Sequence, residues 1–302
     1  TDEADRIMSD MPTNRIRIRT EVPKGTYIRA AGGDIQRGKV ILEQGNILGV
    51  GAIGVLASIG LSKVNVFRRP IIAILATGDE LQEPGKNLEP GQIYDSNSFS
   101  LASAITRYGG IPHMLGIAHD NFDSIQAKLD QIADDDMLLT SAGVSKGDYD
   151  IVKDVLAKQG KIDFWSIRMK PAKPLAFGTI HLANKRQIPH IGLPGNPVSA
   201  LVACEQLVRP AILKMLGQTN LKLPTITATL QDTITNDDGR RVYARVIVTE
   251  KNGEYLAKLT GHQGSNILTS MVQANGLAIC PEDVQRVPAG SQVSVELLNW
   301  PN

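Results

Sequence analysis

Only two cysteines occur in the 302 residues, Cys204 and Cys280, and neither sits in a CxxC pair or a cluster with histidines. That rules against a disulfide framework and a structural zinc site. Charge of one sign is equally scarce, with 32 Lys and Arg against 31 Asp and Glu. So even a balance excludes a broad basic face for nucleic acid and a charged disordered tail, and any positive site must be local. No apolar run reaches the roughly 20 residues that cross a bilayer. The longest, ILGVGAIGVLASIGL from Ile47 to Leu61, reads as a buried helix, its four glycines suggesting close packing or a loose first turn. Thr1 to Asp10 mixes Asp, Glu and Arg without the apolar centre of a secretory signal. These absences point to a reducing, cytoplasmic setting and no membrane partner. Internal repeats and low-complexity tracts are missing too.

The chain is longer than one hydrophobic core usually supports, and an apolar fraction of 42% is ample for two or three domains. Residues 1–69 open on the alternating Arg15 to Arg19 (RIRIR), expected as an edge strand, and continue at Thr26 to Leu42 with short strands around a glycine turn before the apolar helix. Over 70–217 the texture changes. PIIAILATG is a continuous apolar run ending in a glycine loop, as a buried parallel strand requires. A helix at Asn97 to Tyr108, a strand at His113 to Ile117, a helix at Asn121 to Ala133 and a strand at Met137 to Gly143 follow. A helix at Tyr149 to Gln159, an extended segment at Ile162 to Met169, the strand HIGLPG and a long helix at Val198 to Leu216 complete the series. Such alternation predicts a doubly wound α/β domain with its binding site beyond the carboxyl ends of the strands. Residues 218–302 carry short alternating segments such as RVYARVIVT and SQVSVELL, expected as a small all-β domain or barrel.

Three loops of the α/β region place polar groups where a strand stops. TGDEL carries Asp79 and Glu80, TSAGVSKGDYD offers glycines that let backbone amides approach an anion, and GLPGNPVS feeds a helix start. Each has a plainer reading: helix-capping or solvated acids, turn-forming glycines, and an ordinary helix start. RMKPAKPLAFG adds Lys170 and Lys173 on a segment that its two prolines should hold extended, with a solvated surface loop as the alternative. Lysines neutralise phosphate, amides cradle it, and carboxylates hold Mg²⁺ through oxygen. Residue chemistry alone reaches an enzyme of a phosphate ester or nucleotide and stops there.

Order adds specificity. TGDEL, the DSN that follows GQI, SAGVSKGDYD, MKPAKP, GLPGNPVSA and TGHQGS occur in the succession seen in molybdopterin molybdenumtransferases, the family of bacterial MoeA and the E domain of gephyrin, which the chain resembles over most of its length. The resemblance implies a homodimer with a mostly β N-terminal region, a central α/β domain related to the molybdopterin adenylyltransferases, and a C-terminal β-barrel. It implies an enzyme that takes adenylylated molybdopterin, releases AMP and inserts molybdate with Mg²⁺, with possible contact to the adenylyltransferase. Carried over by motif, the functional acids would be Asp34, Glu80, Asp120 and Asp150, with Glu80 and Asp150 at the metal and Ser145 near the phosphate. Lys170, Lys173, Ser199, Arg245 and Ser265 would surround the oxyanion, a doubly charged tetrahedron best held by several fixed donors. Barrel surface is the plainer reading of Arg245 and Ser265.

The chain also departs from the family pattern. Gly33 stands for a usual Glu, Ala142 and Ala172 for usual glycines, and Ser166 for a frequent basic residue. The N-S-A-M-D-G-Y-like motif of the family's N-terminal region is not present, which suggests a shortened or split form. Two other readings compete: the sister enzyme that adenylylates molybdopterin, and a gephyrin-like scaffold binding a peptide.

Overall fold

A computed structural model describes residues 20–143, 154–155, 158–182 and 185–298. The chain divides into two compact units, Thr1–Leu56 and Ala57–Asn302. In the first, the expected strand at Arg15 to Arg19 lies outside the described residues. The strands expected between Thr26 and Leu42 are instead a succession of turns, closed by Thr26 N to Pro23 O, Gly33 N to Ala30 O and Lys39 N to Gln36 O, each 3.1–3.2 Å. Gly32, Gly33 and Gly38 explain the difference, since they break the stretch into short pieces and favour turns. The apolar run does form a helix, α1 (Val50–Ser58), but none of its residues is buried, and Val50 is 95% exposed. The expectation of a buried helix fails because α1 is apolar all round and the turns before it carry too few apolar side chains to cover it.

The second unit opens with β1 (Ile71–Thr77), whose side chains alternate between two cores. Ile72 and Ile74 enter one and Ala73 and Leu75 the other, as expected of a strand covered on both faces. The short pair β2 (Leu81–Gln82) and β3 (Ile93–Tyr94) leads into α2 (Asn97–Arg107). Strand β4 (Ile111–Ala118) and helix α3 (Phe122–Leu129) follow. The Asn121 side chain caps α3 by accepting from Ser124 N at 2.8 Å, with Asp123 in the first turn and Lys128 in the last. Strand β5 (Met137–Ser141), β6 (Gly160–Ser166), β7 (Met169–Lys170), β8 (Pro174–His181) and β9 (Gln187–Leu193) complete the region. The sheet runs β4-β1-β5-β9-β8-β6, parallel through β9 and antiparallel beyond it.

The long helix expected after β9 is broken. Helix α4 (Pro197–Ala203), with proline at its first position, runs into a widened π turn at Cys204–Val208 and resumes as α5 (Arg209–Met215). Pro210 has no N–H for the carbonyl one turn back, and the wider turn before it accommodates the ring. Gly217, at φ +75°, ends α5, with Gln218 N reaching Leu213 O at 3.0 Å in a left-handed cap.

Beyond it lie β10 (Thr225–Leu230), β11 (Ile234–Thr235), β12 (Arg241–Lys251), β13 (Glu254–Leu259), α6 (Thr269–Gln273), β14 (Gly276–Cys280), β15 (Arg286–Val287) and β16 (Gln292–Leu297). Strands β13-β10-β16-β14-β12 form a five-stranded barrel, closed by antiparallel pairing of β12 with β13. Its interior holds small and branched side chains, among them Ala244, Val246, Ala257 and Val295. The expected α/β class with a C-terminal barrel is therefore observed. One pairing crosses from one region to the other: β7 lies parallel to β12, with Met169 beside Arg241 and Lys170 beside Val242.

Candidate functional site

Because β1, β5 and β9 are parallel, their carboxyl ends share one edge of the sheet, and three motif loops leave from there. They enclose a cleft of about 640 Å³ whose lining includes Glu80, Asp95, Asn97, Ser141, Ser199 and Asn266. The loop after β1 is tight. Gly78 sits at φ +145°, and a Cβ there would come within 2.5 Å of the Glu80 carboxylate, which folds back over it. Glu80 O accepts from Ile93 N at 2.8 Å and Gln82 O from Asp95 N at 2.9 Å, so β3 carries the DSN segment to the cleft wall. Asp95 is buried, and its Oδ1 accepts from Ser98 N at 3.0 Å, fixing the first turn of α2.

The loops after β5 and β9 are coupled. Ala142, at φ +78°, donates its N–H to Leu193 O at 3.1 Å, extending the β5–β9 register by one residue. The Asn97 carboxamide donates to Ser141 Oγ and to Gly195 O, both at 2.8 Å. At the start of α4, Val198 N donates to Ser265 O at 3.1 Å, which brings the barrel loop with Asn266 to the same cleft.

Of the residues expected from sequence, Glu80 and Ser199 line the cleft, the latter 5% exposed. Ser265 is half-buried and meets the α/β region through its carbonyl, while its neighbour Asn266 is the residue that faces the cleft. Lys173 is exposed beside the cleft-lining Pro174. The segment bearing it is not extended as expected. A cis Lys170–Pro171 bond and Ala172 at φ +78° turn the chain back, and Lys173 O accepts from Ile167 N at 2.8 Å. Lys170 belongs to β7, with its Nζ 3.7 Å from Asp238 Oδ2. The hydrogen bond from Arg240 holds Asp238 below the usual carboxylate range, with a smaller contribution from Lys170.

Arg245 is not barrel surface: it is 1% exposed. Its Nε donates to Ser270 Oγ at 3.1 Å and its Nη2 to Gly264 O at 2.9 Å, and no carboxylate pairs with it among the described residues. Burial pulls this guanidinium down to about 10. It pins the Thr260 to Ser265 loop from within. Asp120 is exposed at the end of β4, with its N–H directed to Asp79 Oδ1 at 3.3 Å, and does not line the cleft. Asp34 is exposed in the first unit. Ser145 and Asp150 lie outside the described residues.

Sequence reasoning singled out none of Asn97, Ser141 and Asn266. The DSN motif was the available signal for Asn97, since an Asn opening a helix just beyond a strand end lies where a cleft can form. Nothing local distinguishes Ser141 or Asn266.

A motif-bearing edge of an α/β sheet, met by a loop of a region that forms a closed barrel, defines a class shared with known proteins. Residues 73–214 match the family described as "Probable molybdopterin binding domain", and residues 227–298 match "MoeA C-terminal region (domain IV)". A molybdopterin molybdenumtransferase of Haemophilus influenzae is 36% identical over 287 residues, covering 93% of this chain and 69% of its own length. Molybdopterin molybdenumtransferase 2 of Mycobacterium tuberculosis is 34% identical over 294 residues, covering 95% of this chain and 71% of its own. A crystal structure of the molybdopterin biosynthesis MoeA protein of Pyrococcus horikoshii aligns with TM-score 0.75 at 32% identity, over 89% of this chain and 65% of that one. The chain thus belongs to the molybdopterin molybdenumtransferase family, the transferases of molybdenum cofactor biosynthesis, and spans about two thirds of its relatives' length. Among the described residues, no helix is long and apolar enough to cross a membrane.

Proposed function

We propose that this chain accepts adenylylated molybdopterin in the cleft at the ends of β1, β5 and β9, releases AMP and inserts molybdate at the pterin dithiolene. The observation that carries the reading is the convergence of Glu80, Ser141, Ser199 and the barrel's Asn266 on one cleft. The glycine loop after β5 would seat the phosphate, with Ser145 near it and Asp150 at the metal. Lys170 and Lys173 would supply charge to the oxyanion, and Ser199 and Ser265 directed hydrogen bonds. Arg245 would act on the same anion from beneath the loop it holds.

Mg²⁺ keeps much of its water and commonly takes one or two protein carboxylates beside substrate phosphates. Glu80 fits that requirement: it lines the cleft, while Asp95 Oδ1 is already engaged by Ser98 N. Among the described residues no group of three or more His, Cys, Asp or Glu could hold a metal by itself, so the ion would depend on Glu80, the ligand's phosphate and Asp150. Bound there, it would neutralise phosphate charge and polarise phosphorus. Asp120, whose N–H meets Asp79 near Glu80, would add negative field at the rim.

A homodimer is part of the proposal, because Tyr27, Ile28, Val40, Ile47, Val50 and Ile53 are all more than half exposed and a second copy would cover them. Asp34 would be a further functional acid of the enzyme. The substrate would come from the molybdopterin adenylyltransferase in the cytoplasm, where direct handover would protect it. Alignment of the relatives over 93–95% of the chain, barrel included, favours the transferase over the adenylyltransferase and the scaffold. Purified chain given adenylylated molybdopterin, molybdate and Mg²⁺ should release AMP and retain molybdenum on the pterin, with Glu80→Gln strongly slowed. AMP transfer from ATP onto free molybdopterin would instead place the chain with the sister enzymes.

A further inference from the structure

We propose that Asn97 is the positioning residue that holds the cleft in shape, by tying the end of β5 to the loop after β9. The inference rests on the reading of this cleft as the site for the adenylylated pterin. One carboxamide nitrogen makes both bonds, each 2.8 Å, to Ser141 Oγ and to Gly195 O, residues 44 and 98 positions away along the chain. A –NH₂ group has two protons, and this one uses both, on the end of β5 and on the loop that follows its neighbour β9.

The base of the clamp is rigid. Asn97 is the first residue of α2, whose first turn is held by Asp95 Oδ1 on Ser98 N and whose body is anchored by Leu101 and Ile105, each 0% exposed. Asp95 is in turn fixed to the β2 strand by its own N–H on Gln82 O. The two segments also meet through the backbone, where Ala142 N donates to Leu193 O at 3.1 Å, and a Cβ added at Gly195 would lie 3.4 Å from the Ala142 methyl. Across this short span only the Asn97 amide bridges the walls through a side chain among the described residues. Ser141 is 3% exposed, so without Asn97 its hydroxyl must find another partner or move toward solvent.

A preformed cleft spares the ligand the cost of ordering its loops. Removing the clamp therefore acts on affinity through geometry, and its signature is non-additivity with the groups it holds. Asn97→Ala removes both ties and Ser141→Ala removes one. Asn97→Asp keeps the shape and the tie to Ser141, whose hydroxyl can turn to donate, but sets a carboxylate against the Gly195 carbonyl.

The test uses the full chain and AMP as probe, with affinity read by isothermal titration calorimetry. Hydrogen exchange at Ala142, whose N–H is bonded to Leu193 O, reads loop opening. Asn97→Ala is expected to weaken AMP by about tenfold or more and to speed exchange at Ala142 while leaving β1 protected. The Asn97→Ala/Ser141→Ala pair should be no more than about twofold weaker than Asn97→Ala alone, and Asn97→Asp should fall between wild type and Asn97→Ala. Fully additive losses would show that the two residues meet the ligand independently and would overturn the clamp. Wild-type affinity in Asn97→Ala would overturn it too, with the cleft reading intact. A wild-type chain that binds no AMP would overturn the cleft reading and the clamp with it. Should Asn97→Ala not fold, the Ser141→Ala and Asn97→Asp arms carry the same comparison.

Discussion

Ala142 and Ala172 share a backbone angle, φ +78°, that suits glycine, yet they differ in what their methyl groups touch. Replacing each by glycine should therefore give different results. An L-residue in the left-handed region costs about 1–2 kcal/mol. Glycine relieves that strain but restores about 0.5–1 kcal/mol of freedom to the unfolded chain. The balance favours glycine by about 0.5–1 kcal/mol where the methyl packs loosely. Ala142 is only half-buried, so Ala142→Gly should stabilise by about that amount. Ala172 is 3% exposed and packs in the core with Met169 and Leu175, and losing a buried methyl costs about 0.8 kcal/mol. Ala172→Gly should therefore land within about 0.5 kcal/mol of wild type. Urea unfolding at fixed pH resolves the two, and on heating Ala142→Gly should raise Tm by roughly 2 °C per kcal/mol for a unit of this size. A destabilised Ala142→Gly, or an Ala172→Gly that gains as much, would refute the reasoning.

Gly78→Ala should displace the Glu80 carboxylate, which occupies the position of the new methyl, and slow Mg²⁺-dependent AMP release by about tenfold or more with AMP affinity less affected. A variant with normal turnover would separate Glu80 from the metal. Lys170→Ala with Lys173→Ala should weaken molybdate binding by at least about tenfold, yet change the unfolding free energy in urea by under about 0.5 kcal/mol, because both ammonium groups are partly exposed. Unchanged molybdate affinity would return them to solvated surface. His190, fully buried beside Thr140 Oγ1 at 3.1 Å, is held neutral, with burial pulling it to about 3. Protons then bind the unfolded chain first, so this contribution is complete above about pH 6.5 and declines as pH falls toward 3, by up to about 1.4 kcal/mol per pH unit. Unfolding curves at pH 7 and pH 5 should differ less for His190→Gln than for wild type, and equal losses in the two proteins would exclude the histidine.

Helix α2 was read to within a residue, at Asn97 to Tyr108 against Asn97–Arg107, because its periodicity is strong and its glycine stop is clear. The barrel strands followed from alternation. Strand β8 was hidden: Pro171, Pro174 and two lysines read as a loop, although proline at a strand's first residue is tolerated. The π turn escaped notice because Pro210 lies inside a run that otherwise reads as continuous helix. The misjudged α1 shows that apolar periodicity reports what could be buried, not whether a covering surface exists. Within the cleft, Glu80 and Ser199 came from motif, whereas Asn97 and Ser141 become partners only when β5, β9 and α2 meet in space.

The two-residue strand β7 has a consequence for rearranging this protein by recombination. Its Met169 and Lys170 are threaded through the sequence of one region and hydrogen-bonded as an edge strand of the other, and Arg168 and Arg240 each reach across to a carbonyl on the far side, Gly239 and Met169. A barrel grafted from a relative at the boundary near residue 218 would arrive without its matching outer strand. The graft would either leave the edge of β12 open at Arg241 and Val242 or dock the resident lysine segment one residue out of register, inverting which side Lys170 faces. The natural exchange unit is thus the barrel together with residues 168–170, two pieces far apart in the gene.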